Sequence, residues 1–196
     1  MTVDTLWYLG RGSGVVTLVL LTVTAALGIA TRSGRTLPGL PAFAVAAIHR
    51  NAGLLAAGML AVHLTSLLFD PYAQLRVADL VIPFDGAYRP LWLGLGTVAL
   101  DLALVVVASS LLRQRLGARA WRAVHAAAYV MWPVAFLHGL GTGSDAGSWW
   151  FRSIAMLCAV AVVAGAGLRL TFAPDTVGTA GRPRVPAPPT GVEALR

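Results

Sequence analysis

Five apolar runs divide this chain, at 14–30, 43–69, 91–112, 121–140 and 149–171, and each is long enough as a helix to cross the hydrocarbon of a bilayer. The predicted architecture is an all-α, polytopic membrane bundle of five transmembrane helices filling residues 1–172. Of 196 residues, 57% are apolar, which leaves no room for a soluble domain of useful size. Residues 173–196 change character, becoming rich in Pro, Gly and Thr with a stretch Arg182-Pro183-Arg184-Val185-Pro186. Such a segment has too little apolar surface to fold around, so a disordered cytoplasmic tail is predicted there.

Glycine and proline punctuate the runs. The segment 32–41 reads as a short turn, 139–147 as a glycine-rich turn, and 70–90 as a longer loop with Pro71, Pro83 and Gly86. Leu75, Leu80, Val81 and Ile82 have the spacing for a short interfacial helix in that loop. No basic leader or small-residue cleavage site precedes Trp7, so the first run is predicted to be a retained span rather than a signal peptide. Cys158 is alone in an apolar run, which predicts core packing and excludes an internal disulfide.

The formal net charge is +7, and all fifteen basic residues are arginine. Their placement between apolar runs argues for membrane orientation and against nucleic-acid binding. With the N-terminus outside, the inner segments hold Arg32, Arg35, Arg113, Arg115, Arg119, Arg122, Arg182 and Arg184. The outer ones hold Asp4, Asp70, Asp79, Asp85 and Asp145. The positive-inside rule then predicts N-out and C-in, with lipid as the surrounding partner.

All four histidines fall within apolar runs, as His49 with His63 and His125 with His138. An imidazole in hydrocarbon is costly without a partner, so this placement predicts buried ligands. Separations of fourteen and thirteen residues correspond to roughly 20 Å along a helix axis. In antiparallel spans they put one histidine each at two matching depths, predicting the pairs His49 with His125 and His63 with His138. Two imidazoles on one iron leave no open position for oxygen chemistry, which suits two haem b groups in electron transfer. Fourteen residues return a helix almost to the same face but thirteen do not, and a kink at Pro133 is the predicted repair.

Several further residues are candidates around those pairs. Gly53, Ala56, Ala57, Gly58 and Ala126 to Ala128 leave little side-chain volume near the histidines, as cofactor walls or as ordinary helix packing would require. Arg11, Arg50 and Arg122 are candidates for binding haem propionates, with interfacial anchoring as the competing role for Arg11 and Arg50. Trp132, beside Met131 at mid-depth, would couple the two haems or fill the gap. Asp101, an acid near the centre of the third run, would handle protons or pair with a hydroxyl or an arginine.

On the histidine doublets, on Gly10-Arg11-Gly12-Ser13-Gly14 and on His138-Gly139-Leu140-Gly141-Thr142-Gly143-Ser144-Asp145, the chain resembles the ferric reductase-like transmembrane domain family. Relatives include ferric reductases, NADPH oxidases and the haem subunit of a bacterial methionine sulfoxide reductase system. The resemblance implies two b-type haems on the four histidines, electrons crossing from the cytoplasmic side outward, and a multi-pass protein of a bacterial cytoplasmic membrane. It also implies Arg11 as a contact of the outer haem and the loop before Asp145 as a cap over it. No glycine fingerprint follows a strand after the fifth run, so the electron donor is expected to be a separate cytoplasmic flavin reductase or quinol. The acceptor would be ferric iron, oxygen or an outer partner enzyme. Competing readings make the chain a haem-containing structural or assembly subunit of a larger complex, or a metal or proton pathway without haem.

Overall fold

The computed structural model describes residues 3–32 and 40–171, and the tail assigned as disordered lies outside them. Six helices follow in order: α1 (Val3–Arg32), α2 (Ala42–Leu68), α3 (Pro90–Leu111), α4 (Arg113–His125), α5 (Ala128–Thr142) and α6 (Trp149–Thr171). No strand occurs among the described residues. Four of these, α1, α2, α3 and α6, are individually long and apolar enough to cross a membrane. A further candidate span, fourth in chain order, is the pair α4 with α5, bent by 44°.

That bend corrects the fourth span expected at 121–140. The helix breaks at Ala126 and Ala127, directly after His125, and Pro133 lies inside α5. Around the break Ala127 N–H donates to Val124, Tyr129 N–H to Ala126 and Val130 N–H to Ala127. These are three-residue turns, tighter than an α-helix, and they rotate the chain further per residue. Pro133 occupies an exposed position, where its missing N–H costs one bond without ending the helix. Overwinding at the alanines therefore supplies the re-aiming that the sequence assigned to the proline.

Local chemistry sets the other ends. Pro41 precedes α2 with extended backbone (φ −69°, ψ 151°), and Pro90 opens α3, where a fixed φ and a missing N–H are tolerated. The interfacial helix anticipated in the 70–90 loop is a single 3₁₀ turn, Val77–Leu80. Asp79 organises it: Arg76 binds its carboxylate, with Nη2 2.6 Å from Oδ1, and holds it below the ordinary carboxylate range. Thr97 donates to the Asp79 carbonyl (2.6 Å), clamping the loop onto α3. Phe84 seals the same contact, since a side chain at Gly94 would meet the Phe84 backbone nitrogen at 2.6 Å.

α1 is the hub, packed on α2, α5 and α6, while α3 packs on α5 and α4. Leu18, Trp132 and Cys158 meet at the α1–α5–α6 junction, flanked by Phe136, Ile154 and Val162. Cys158 is thus a buried core residue, as its sequence position predicted. Hydroxyls on α1 are satisfied within the helix: Thr17 donates to Ser13 O and Thr22 to Leu18 O, each at 2.8 Å. Leu54, Leu55, Leu104, Leu157 and Val163 stay exposed, the surface expected where the solvent is hydrocarbon.

Asp101 departs from its expected burial. It lies exposed on α3, half a helical turn around from the face that carries Trp92, Gly96 and Ser110. None of the described residues gives it a hydroxyl or arginine partner.

Candidate functional site: two histidine pairs

α1 and α2 run antiparallel, and their register fixes two imidazoles. His63 Nδ1 donates to Gly10 O at 2.7 Å and His49 Nδ1 to Thr24 O at 2.9 Å. Gly10 and Thr24 are fourteen residues apart, the separation of the two histidines they hold. On the opposite wall His138 Nδ1 donates to Trp92 O at 2.8 Å, and His125 Nδ1 stands 3.3 Å from Ser110 Oγ. A carbonyl oxygen only accepts, so Nδ1 carries the proton in His49, His63 and His138, and Nε2 is left with its lone pair.

Glycines make these bonds possible. Each accepting carbonyl has a glycine four residues later: Gly14 after Gly10, Gly28 after Thr24 and Gly96 after Trp92. The N–H of that fourth residue already bonds the same carbonyl within the helix, so a Cβ there would crowd any third group approaching it. The distances agree. A Cβ on Gly14 would lie 2.9 Å from His63 Cε1, on Gly28 3.3 Å from His49 Cε1 and on Gly96 2.5 Å from His138 Cε1. Ser110 has Gln114 in that fourth place, and there the imidazole meets a side-chain hydroxyl instead.

The rings come together in the two predicted pairs. His49 and His125 have centroids 6.2 Å apart at 64°, and His63 and His138 have centroids 6.5 Å apart at 82°. The bend after His125 is what lets both histidines of the fourth span face α2. Among the described residues no cluster of three or more His, Cys, Asp or Glu side chains could hold a metal. The arrangement on the page is two pairs of imidazoles facing one another at two levels.

The other sequence candidates are distributed unevenly. Arg11 forms an ion pair with Asp145, its Nε 2.8 Å from Oδ2, and its guanidinium lies over Trp7 and Tyr8. This joins the start of α1 to the turn before α6, at the His63–His138 end. Arg50 and Arg122 are exposed at the His49–His125 end, beside His49 and one turn before His125. Gly53 and Ala56 pack toward α1, where a Gly53 Cβ would sit 3.7 Å from Thr24, and Gly58 faces open space. Trp132 is in the α1–α5–α6 core, stacked on Phe136 at 5.2 Å, with Nε1 donating to Thr22 Oγ1 at 2.9 Å.

Trp132→Phe keeps the stack and removes that hydrogen bond, while Thr22 retains its own acceptor. The expected cost is about 0.6–1 kcal/mol in thermal unfolding in detergent. A loss several times larger would assign the indole a role beyond packing.

Sequence reasoning marked Gly14 only as part of a glycine motif and missed Gly28, Gly96, Ser110 and Trp121, which stacks on His125 at 5.1 Å. A signal was present for the first two: Gly14 and Gly28 repeat along α1 at the fourteen-residue interval of His49 and His63.

Residues 13–136 match the family described as Ferric reductase like transmembrane component. The chain belongs to that family. The match contains His49, His63 and His125 and ends two residues before His138. No curated protein and no solved structure matches the chain. Membership in the ferric reductase-like family, with apolar helices of spanning length, makes this a membrane protein and points to a redox, electron-transfer role.

Proposed function

We propose that this ferric reductase-like domain is a two-haem b electron conduit, with one haem between His49 and His125 and a second between His63 and His138. The observation that carries the proposal is the pairing itself: four imidazoles, each with Nδ1 engaged by the chain, face one another at two levels. His49 with His125 and His63 with His138 would each hold one haem between them, and ring centroids 6.2 and 6.5 Å apart leave room for a ligated metal. When bound, haem would supply one-electron chemistry at each level.

The chain does the rest. Hydrogen bonds from Nδ1 to Gly10, Thr24 and Trp92 fix ring orientation and make Nε2 a stronger donor to iron. About 20 Å of helix rise separates the two levels. Arg50 and Arg122 stand where propionates at the His49–His125 level would find guanidinium partners. Arg11 has that part at the other level, sharing itself with Asp145.

The arginines of α4 lie at the His49–His125 end and the acidic loop at the other, an asymmetry that favours N-out and C-in. Electrons then enter from a cytoplasmic-side donor, a flavin reductase or quinol, and leave to an outer acceptor such as ferric iron, oxygen or a partner enzyme. The localisation that follows is a bacterial cytoplasmic membrane. Purified protein should give two haems b per chain in a pyridine haemochrome assay, and in liposomes should reduce an impermeant acceptor across the bilayer. A colourless protein from haem-replete cells overturns the reading; two haems with no transmembrane transfer assign a structural or assembly role instead.

A further inference from the structure

Asp101 is the one acid within the five apolar runs, and the fold gives it no partner among the described residues. It lies nine residues from Trp92 and nine from Ser110, which puts its depth midway between the two histidine levels. Those two residues face the histidines of the fourth span, whereas Asp101 is on the far side of α3. Lipid tails offer no hydrogen-bond partner, so a carboxyl at the centre of a bilayer is costly until another protein surface supplies one.

The residues around it form a seam. Gly94, Thr97, Asp101, Leu104, Ala108 and Leu111 follow one another at spacings of three and four, the a and d positions of a heptad. The chain covers the outer part of this seam itself, since Phe84 lies against Gly94 and Thr97 donates to the Asp79 carbonyl. Inward of that loop the seam is bare: Asp101 and Ala108 are exposed, Leu104 is 59% exposed and Leu111 76%. A single polar residue at an a position of an apolar seam sets register and partner number when helices pair.

We propose that the inner half of α3 is a homodimer interface, in which α3 of a second copy packs in parallel across a two-fold axis and Asp101 meets Asp101. Topology and charge select this occupant. Every copy inserts in one orientation, so the same seam arrives at the same depth, and a two-fold axis sets it against itself. The exposed arginines offer a second copy no base for Asp101, because Arg50, Arg113 and Arg122 lie at the His49–His125 end and Arg152 at the other. Two carboxyls need no base: sharing a proton, one donates to the other, and both are removed from lipid. Leu104 and Leu111 close around the pair, and the small Ala108 lets the two backbones approach. The histidine levels, on the opposite face of α3, keep their geometry.

The test uses the full chain in liposomes at a low protein-to-lipid ratio. Photobleaching of a single fluorophore on each chain should proceed in two steps per particle. Cys158 is buried, so Leu104→Cys and Ala108→Cys should form inter-chain disulfides with copper phenanthroline, while Leu55→Cys, exposed on α2, should not. Asp101→Leu should weaken the dimer about tenfold, and Asp101→Asn, whose amide also donates and accepts, should restore most of that loss. Haem content should match the unaltered chain in every variant.

Single-step bleaching throughout overturns the interface. So do disulfides equally frequent at Leu55→Cys, or an Asp101→Leu dimer as tight as that of the unaltered chain. Capture of a synthetic poly-leucine helix with one central arginine, in place of self-association, gives the seam to a basic partner and overturns the second copy. If Asp101→Leu fails to assemble, the cysteine variants, which keep Asp101, decide the matter. A chain without haem would sink the conduit, yet subunit counting and disulfide mapping on that preparation would still report on the seam.

Discussion

Replacing His63 by alanine should remove one haem and leave the other. Pyridine haemochrome content should fall from two per chain to one, and His138→Ala should give the same loss with the same residual spectrum. His49→Ala and His125→Ala should give the complementary species, with the His63–His138 level retained. The effect is large because a bis-imidazole site with one ligand gone has no second candidate nearby: among the described residues no third His, Cys, Asp or Glu clusters with either pair. The levels should also behave independently, since sites about 20 Å apart without shared partners seldom couple strongly. Loss of both haems from any single variant, or of neither, contradicts the pairing.

Gly96→Ala should strike the His63–His138 level almost as hard as losing a ligand, although it adds only a methyl group. The new Cβ would lie 2.5 Å from His138 Cε1 and 2.6 Å from Nδ1. Either the imidazole leaves the Trp92 carbonyl or α3 moves away from α5, and strain of that kind costs about 1–3 kcal/mol in a packed interior. The readout is haem content together with the spectrum of the surviving site, which should match that of His138→Ala. Gly58→Ala is the control, because nothing lies within 4 Å of its added Cβ. Equal haem content in Gly96→Ala and in the unaltered chain would mean that the Trp92 contact is dispensable.

Much of this site could be read from the chain because it depends on intervals. Helical rise and a fourteen-residue spacing put His49 and His63 at two depths of one face, and four-residue glycine offsets follow the same arithmetic. The break in the fourth span could not be read that way. Ala126 and Ala127 are strong helix formers, so propensity argues against unwinding there, and the proline six residues on drew the expectation instead. The tight turn comes just before α5, which packs on α1 and α3, and it has no local signature.

Arg11 and Asp145 were each marked in sequence, but a contact across 134 positions appears only when α1 and the turn before α6 are folded together. Trp121 escaped notice for a related reason. Its meaning comes from His125 stacked on one ring and Arg113 lying over it, and the bend at Gly117 that frames them depends on backbone angles.

The way α1 grips both imidazoles of α2 also bears on biogenesis. His49 and His63 take their bonds from Thr24 and Gly10, so the first hairpin to leave the ribosome already presents two oriented half-sockets. The matching halves arrive in order, His125 at the end of α4 and His138 within α5. Closure of either socket is therefore a late event: a nascent chain stalled within α3 is incomplete at both levels, and one stalled before α5 still lacks His138.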